Sequence, residues 1–142
     1  MNVTQFLLII HLLAISIGLG IGFTNLVNMR VARSQTGDVA KGLMMHRMTM
    51  LPYGDAMFVI ILLSGGLLLW AIGGPAGLPQ AFNIKMIFVV IWAITFVVMR
   101  LTLRQMIATR NMALAKRIGM LTQILLTAIV AAIVCAVLAF AS

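Results

Sequence analysis

The fold is decided by the stretch FLLIIHLLAISIGLGIGFTNLV, residues 6–27, in which His11 is the only ionisable side chain. A helix of about 20 apolar residues crosses the roughly 30 Å hydrocarbon core of a bilayer. Because lipid offers no partner for backbone N–H and C=O groups, a helix satisfies them best there. The stretch therefore predicts a transmembrane helix.

Three further stretches have the same character, and they cover residues 56–72, 82–103 and 118–140. The links between the four are short, so neighbouring helices should run antiparallel. The sequence predicts an all-α fold, a transmembrane four-helix bundle with antiparallel neighbours, in a single domain of residues 1–142.

The composition agrees with a membrane protein. Hydrophobic residues make up 63% of the chain and charged residues 8%, whereas a soluble domain carries about a quarter charged residues. The net charge of +8 would indicate nucleic-acid binding in a soluble protein. Here the basic residues lie between apolar runs, where they set topology, so we exclude nucleic acid as a partner and expect membrane lipid.

The basic residues also predict the orientation. They are concentrated in the first and third links, whereas the second link, GGPAGLPQAFN, carries no charge. Lys and Arg accumulate in cytoplasmic loops. We therefore expect both termini outside, in a multi-pass protein of the bacterial inner (cytoplasmic) membrane. The first link, about two dozen residues long, should hold a turn at Gly37 and a short helix before Pro52.

His11 is the first polar residue that raises a functional hypothesis, because ionisable groups are costly within a span. At helical spacing it shares a face with Ile15, Gly18, Gly22, Asn25 and Met29. One interpretation is close helix packing, with His11 hydrogen-bonded to a neighbouring helix. The other is a slot for a flat cofactor, with His11 as axial ligand and the glycines admitting the ring.

Lys85 is the second such residue. The topology puts it in the outer part of the membrane, near the level of His11. Its ammonium can snorkel to the interface, or it can pair with an anion such as a haem propionate. Aromatic and other apolar side chains share its face, including the polarizable thioether of a methionine: Val89, Trp92, Phe96 and Met99.

Two weaker hypotheses concern the first link and its end. His46 is surrounded by Met44, Met45, Met48 and Met50, and thioethers suit Cu(I), although an exposed link histidine explains His46 as well. Asp55 is the only acid near a span. It should pair with Arg100 at the inner face, and the alternative is a proton relay, for which the sequence offers no second carboxylate. No residue set points to a catalytic role.

Four segments, LLIIHLLAISIGLG, HRMTMLP, LSGGLLLW and FNIKMIFVV, together resemble a known pattern. Over roughly residues 5–105 the chain resembles the HemJ-type four-helix protoporphyrinogen oxidases. It is also similar to the related copper-resistance D-like membrane domain.

The resemblance implies an integral inner-membrane haem b protein that oxidises protoporphyrinogen IX. It implies that His11 is a haem ligand, that Lys85 is the functional lysine of the third helix, and that Arg47 and Pro52 match the family's residues before the second helix. The chain departs from the family where GLGIGFTNLVNMRV and VVMRLTLRQM lack the usual Trp, Tyr and further His. Haem binding is therefore better supported than the oxidase reaction.

We thus expect a small haem b-binding membrane protein with redox or small-molecule chemistry, an oxidoreductase on a tetrapyrrole if it is an enzyme. His11 would ligate the iron, and the expected cofactor-binding residues are His11, Gly18, Gly22, Lys85 and Trp92. The alternatives are a copper-handling or other metal-handling membrane protein and a non-catalytic membrane subunit. Four spans enclose little space, so we expect a homo-oligomer.

Overall fold

The computed structural model describes residues 2–74, 80–111 and 113–141. These residues form four helices: α1 (Val3–Ser34), α2 (Gly37–Ala71), α3 (Gln80–Thr109) and α4 (Leu114–Ala141). All four are long and apolar enough to cross a membrane. The predicted all-α fold is confirmed, and the chain is a multi-pass membrane protein.

The chain forms two compact units, Met1–Ala76 and Gly77–Ser142. In the first, α1 packs against α2, and in the second, α3 packs against α4. His11 of α1 faces Ser64 of α2, and Gly18 faces Met57, so these two helices run antiparallel as predicted. Each helical hairpin is described by itself below.

Helix α1 begins earlier than hydropathy predicts because its first turn is capped. The side chain of Asn2 accepts a hydrogen bond of 2.8 Å from the backbone N–H of Gln5. The side chain of Gln5 in turn accepts one of 3.1 Å from the backbone N–H of Asn2. This reciprocal capping box satisfies two backbone donors that the helix itself leaves open, so α1 begins at Val3.

The first link is much shorter than predicted. Only Gln35 and Thr36 separate α1 from α2, and Gly37 takes the left-handed φ of 65° at the turn. The predicted short helix before Pro52 is not separate from the second span, because α2 continues through Pro52 to Ala71. Pro52 removes one backbone donor from the helix, and a long, otherwise continuous helix tolerates this loss. The prediction of a separate short helix was therefore wrong.

Both helices of the first hairpin exceed the thickness of a membrane. Helix α1 has 32 residues and α2 has 35, which correspond to about 48 Å and 52 Å against a hydrocarbon core of roughly 30 Å. The excess lies at the turn, where the charged residues are. The basic residues assigned to a link are therefore carried on helix ends: Arg30, Arg33, Lys41 and Arg47.

The second hairpin has the better-packed interior. Ile118 of α4 is fully buried, and Leu103 and Met106 of α3 are buried too. The hydroxyl of Thr122 lies 3.5 Å from the sulfur of Met99, which fixes the antiparallel register of α3 and α4. The link between the two helices begins at Arg110, whose φ is 52°.

Most other apolar side chains are exposed on the helices, as in α1, where only Ala14 is buried. Trp70 near the end of α2 is 81% exposed. Exposed apolar surface of this extent is suited to contact with lipid tails. The predicted lipid environment therefore agrees with the surface of both hairpins.

Candidate functional site

His11 contacts α2 through a hydrogen bond. Its Nδ1 lies 2.8 Å from the hydroxyl oxygen of Ser64. Ser64 is only 4% exposed, and its hydroxyl also lies 2.6 Å from the carbonyl oxygen of Ile60, one turn earlier on α2. His11 is thus hydrogen-bonded to the neighbouring helix. The interpretation of close helix packing required such a bond.

The two contacts of the Ser64 hydroxyl are compatible with a proton on His11 Nδ1. A hydroxyl has one proton to donate, and the carbonyl of Ile60 can only accept. With that proton donated to Ile60, the oxygen of Ser64 accepts the N–H of His11 Nδ1. In the neutral ring the lone pair then lies on Nε2, which is the arrangement of a histidine that binds a metal.

Gly65 makes room for the imidazole. A Cβ atom at this position would lie 3.0 Å from Cε1 of His11, and 3.6 Å and 3.8 Å from its two ring nitrogens. A side chain here would require the imidazole or the helix to shift by a few tenths of an ångström. Ser64 and Gly65 were not among the predicted site residues. The small-residue run SGG within LSGGLLLW was the only indication in the sequence.

Gly18 has a different surrounding from the one predicted. A Cβ atom there would lie 3.5 Å from Cδ1 of Ile61 and 3.7 Å from Cβ of Met57, both ordinary contact distances. Side chains of α2 therefore occupy the space beside Gly18, as close helix packing requires. Gly22, one turn further along, is half-buried. Their role in admitting a cofactor stays a prediction.

Lys85 lies one turn into α3, over an aromatic ring of its own helix. Its Nζ atom is 5.2 Å from the centroid of the Phe82 ring, and Phe82 is buried. A cation over an aromatic face is stabilised by the ring quadrupole. The ammonium of Lys85 is therefore held near the start of α3 and half-buried.

Trp92 belongs to an aromatic column further along α3. It is 5% exposed, and its ring centroid lies 6.3 Å from that of Phe96, with the rings tilted by 39°. The guanidinium of Arg100 lies 5.1 Å from the Phe96 centroid. The spacing of four residues produces this column, because residues four apart are neighbours on a helix surface.

The predicted site residues are thus divided between the two units. His11, Gly18 and Gly22 belong to the first hairpin, and Lys85 and Trp92 to the second. A common site of His11 and Lys85 stays a prediction, as does the pairing of Asp55 with Arg100.

The side chains proposed for copper are on the N-terminal part of α2. His46 is exposed, and Met45 is 72% exposed. Among the residues that the structure describes, no group of three or more His, Cys, Asp and Glu side chains could hold a metal ion. Copper binding by His46 and the methionines around it stays a prediction.

Comparisons with protein families, with curated proteins and with solved structures found no match for this chain.

Proposed function

We propose that this chain is a haem b-binding protein of the bacterial inner membrane, with His11 as an axial ligand of the iron. The observation that carries the proposal is the hydrogen bond between His11 Nδ1 and the hydroxyl of Ser64. In a metal-bound histidine the N–H of the second ring nitrogen normally donates a hydrogen bond to an oxygen atom, which fixes the ring and raises its basicity. Ser64 supplies that oxygen within a membrane span.

The residues around His11 fit such a ligand. The imidazole lies against Gly65, where a Cβ atom would be 3.0 Å from Cε1. The neutral imidazole is the form that both the membrane and the iron favour, because an imidazolium would be costly in the span. His11 would hold the iron.

Bound haem would supply one-electron chemistry. The substrate that we propose to test is protoporphyrinogen IX, because the first two segments of the resemblance include His11 and Arg47 and the last includes Lys85. The second candidate function is a non-catalytic membrane subunit. It is favoured by the side chains of Ile61 and Met57, which occupy the space beside Gly18 that a cofactor ring would need.

The test is the reduced-minus-oxidised visible spectrum of the protein purified in mild detergent. The parent and His46→Ala should show a Soret band and a haem b α band, and His11→Ala should show neither. The matched control works because His46 is the only other histidine and is exposed on α2. A parent-like spectrum in His11→Ala contradicts the assignment of the ligand. If the parent contains no haem, elemental analysis for copper distinguishes the other two functions. Bound copper supports a metal-handling protein, and the absence of both supports a non-catalytic membrane subunit.

A further inference from the structure

A second feature of the molecule is the concentration of positive charge near the turn of the α3–α4 hairpin. Arg104 and Arg110 lie on the α3 side of the turn, and Lys116 and Arg117 lie on the α4 side, and all four are exposed. We propose that Arg104, Lys116 and Arg117 bind the phosphate groups of anionic phospholipids in the leaflet at this end of the hairpin.

The first support is the charge balance. Residues 77–142 contain no Asp or Glu. The whole chain has ten Lys and Arg residues against two acids. A side-chain anion that pairs with a cation of this hairpin must therefore come from outside residues 77–142.

The second support is the register of the two helices. Met99 of α3 contacts Thr122 of α4. Arg104 lies five residues further along α3, and Arg117 lies five residues before Thr122 on α4, so both are about 7.5 Å nearer the turn than that contact. The two arginines are thus at one level. Arg104 directly follows the buried Leu103, and Arg117 directly precedes the buried Ile118.

The third support is depth. From Phe82, the first large apolar residue of α3, Arg104 is about 33 Å along the helix axis. The hydrocarbon core is roughly 30 Å thick, and the headgroups lie directly outside it. Phosphate is the anion found at that depth, and the planar guanidinium can bind two phosphate oxygens at once. Basic side chains beside a span are also attracted by the potential of an anionic leaflet.

Native mass spectrometry of the detergent-purified protein tests the proposal, by measuring retained phosphatidylglycerol relative to phosphatidylethanolamine. Arg104→Gln/Arg117→Gln should retain several-fold less phosphatidylglycerol than the parent. The matched control Lys41→Gln/Arg110→Gln removes the same net charge from the tips of the two turns and should retain as much as the parent. Arg104→Lys/Arg117→Lys, which keeps the charge, should retain an intermediate amount.

Equal losses in the two glutamine variants would show that net charge alone attracts the lipid and would overturn the assignment to this level. No loss in Arg104→Gln/Arg117→Gln would overturn it as well, as would displacement of the lipid by added inorganic phosphate. If the glutamine variant fails to fold, the parent alone provides the test in nanodiscs. Its melting temperature should be higher with phosphatidylglycerol than with phosphatidylcholine, and equal values would contradict the proposal.

Discussion

The imidazole of His11 and the hydroxyl of Ser64 are joined by a 2.8 Å hydrogen bond between α1 and α2, although the two residues are 53 positions apart in the chain. When the proton of the hydroxyl goes to Ile60, a neutral ring of His11 donates from Nδ1 and has its lone pair on Nε2. The bond thus joins the packing of the first hairpin to the chemistry proposed for it.

Replacing Ser64 tests this bond. Ser64→Ala leaves His11 Nδ1 without this acceptor, and we expect the free energy of unfolding to fall by about 1 kcal/mol, as for hydrogen bonds between membrane helices. With haem bound, the midpoint potential should rise, because the ligand is less basic without that acceptor. Denaturant unfolding and a spectroelectrochemical titration measure the two effects.

Ser16→Ala is the control for that change. Ser16 is exposed, and its hydroxyl donates only to the carbonyl of Leu12 in its own helix, at 2.9 Å. Its removal should change neither stability nor potential. Equal changes of stability and potential in Ser64→Ala and Ser16→Ala would mean that the hydrogen bond between Ser64 and His11 contributes nothing beyond the bond of a hydroxyl to its own helix.

The four helices could be predicted from the sequence because each contains an apolar stretch that only a helix can carry through lipid. Their ends could not. Hydropathy falls at Lys41 and Arg47, which were assigned to a link, yet α2 runs through both. A helix outside the hydrocarbon needs no apolar side chains, so a change in hydropathy marks the membrane surface and not the end of the helix.

The site could be predicted in part. His11 stood out because it is the only ionisable residue in its apolar run, and its partner on another helix was one of the two interpretations. Ser64 and Gly65 could not be found, because their proximity to His11 depends on the register of α1 against α2. Hydropathy does not determine that register. The contact between Gly18 and Ile61 was missed for the same reason.

The interior of the second hairpin can be tested at its fully buried residue. Ile118→Ala removes packing contacts and leaves a cavity, and we expect a loss of about 2 kcal/mol, the lower end for such changes. The lower end applies because lipid is as apolar as the protein interior, so the loss of van der Waals packing dominates. Thermal or denaturant unfolding measures it.

Ile124→Ala is the corresponding control on α4. Ile124 is 41% exposed, so its removal should cost clearly less than that of Ile118. Equal losses would indicate that the order of burial along α4 differs from the one described.

The orientation can be tested by labelling single cysteines, after Cys135→Ala removes the only native cysteine. Ser34, Gln80 and Asn111 are exposed positions beside the three links. Since Lys and Arg cluster at the first and third links, Gln80→Cys should react with an impermeant reagent in intact spheroplasts. Ser34→Cys and Asn111→Cys should react only after permeabilisation. The opposite pattern would place His11 and Lys85 near the cytoplasmic side.

The sharpest test of the site compares two adjacent glycines of α2. Gly65→Ala would place a Cβ atom 3.0 Å from Cε1 of His11, whereas Gly66→Ala would meet nothing within 4 Å. Alanine is favoured over glycine in a helix by about 1 kcal/mol, so Gly66→Ala should leave the protein as stable as the parent or more stable, with its haem content unchanged. Gly65→Ala gains the same helix propensity but must displace the imidazole, and a ring moved off the axis of its hydrogen bond to Ser64 is a poorer ligand. We therefore expect Gly65→Ala to lower the haem content of the purified protein several-fold, or to change the position of the α band, while the helical circular dichroism stays at the parent value. Equal spectra in the two variants would show that the space beside His11 is not used by the cofactor, and that Gly65 serves only the approach of α1 to α2.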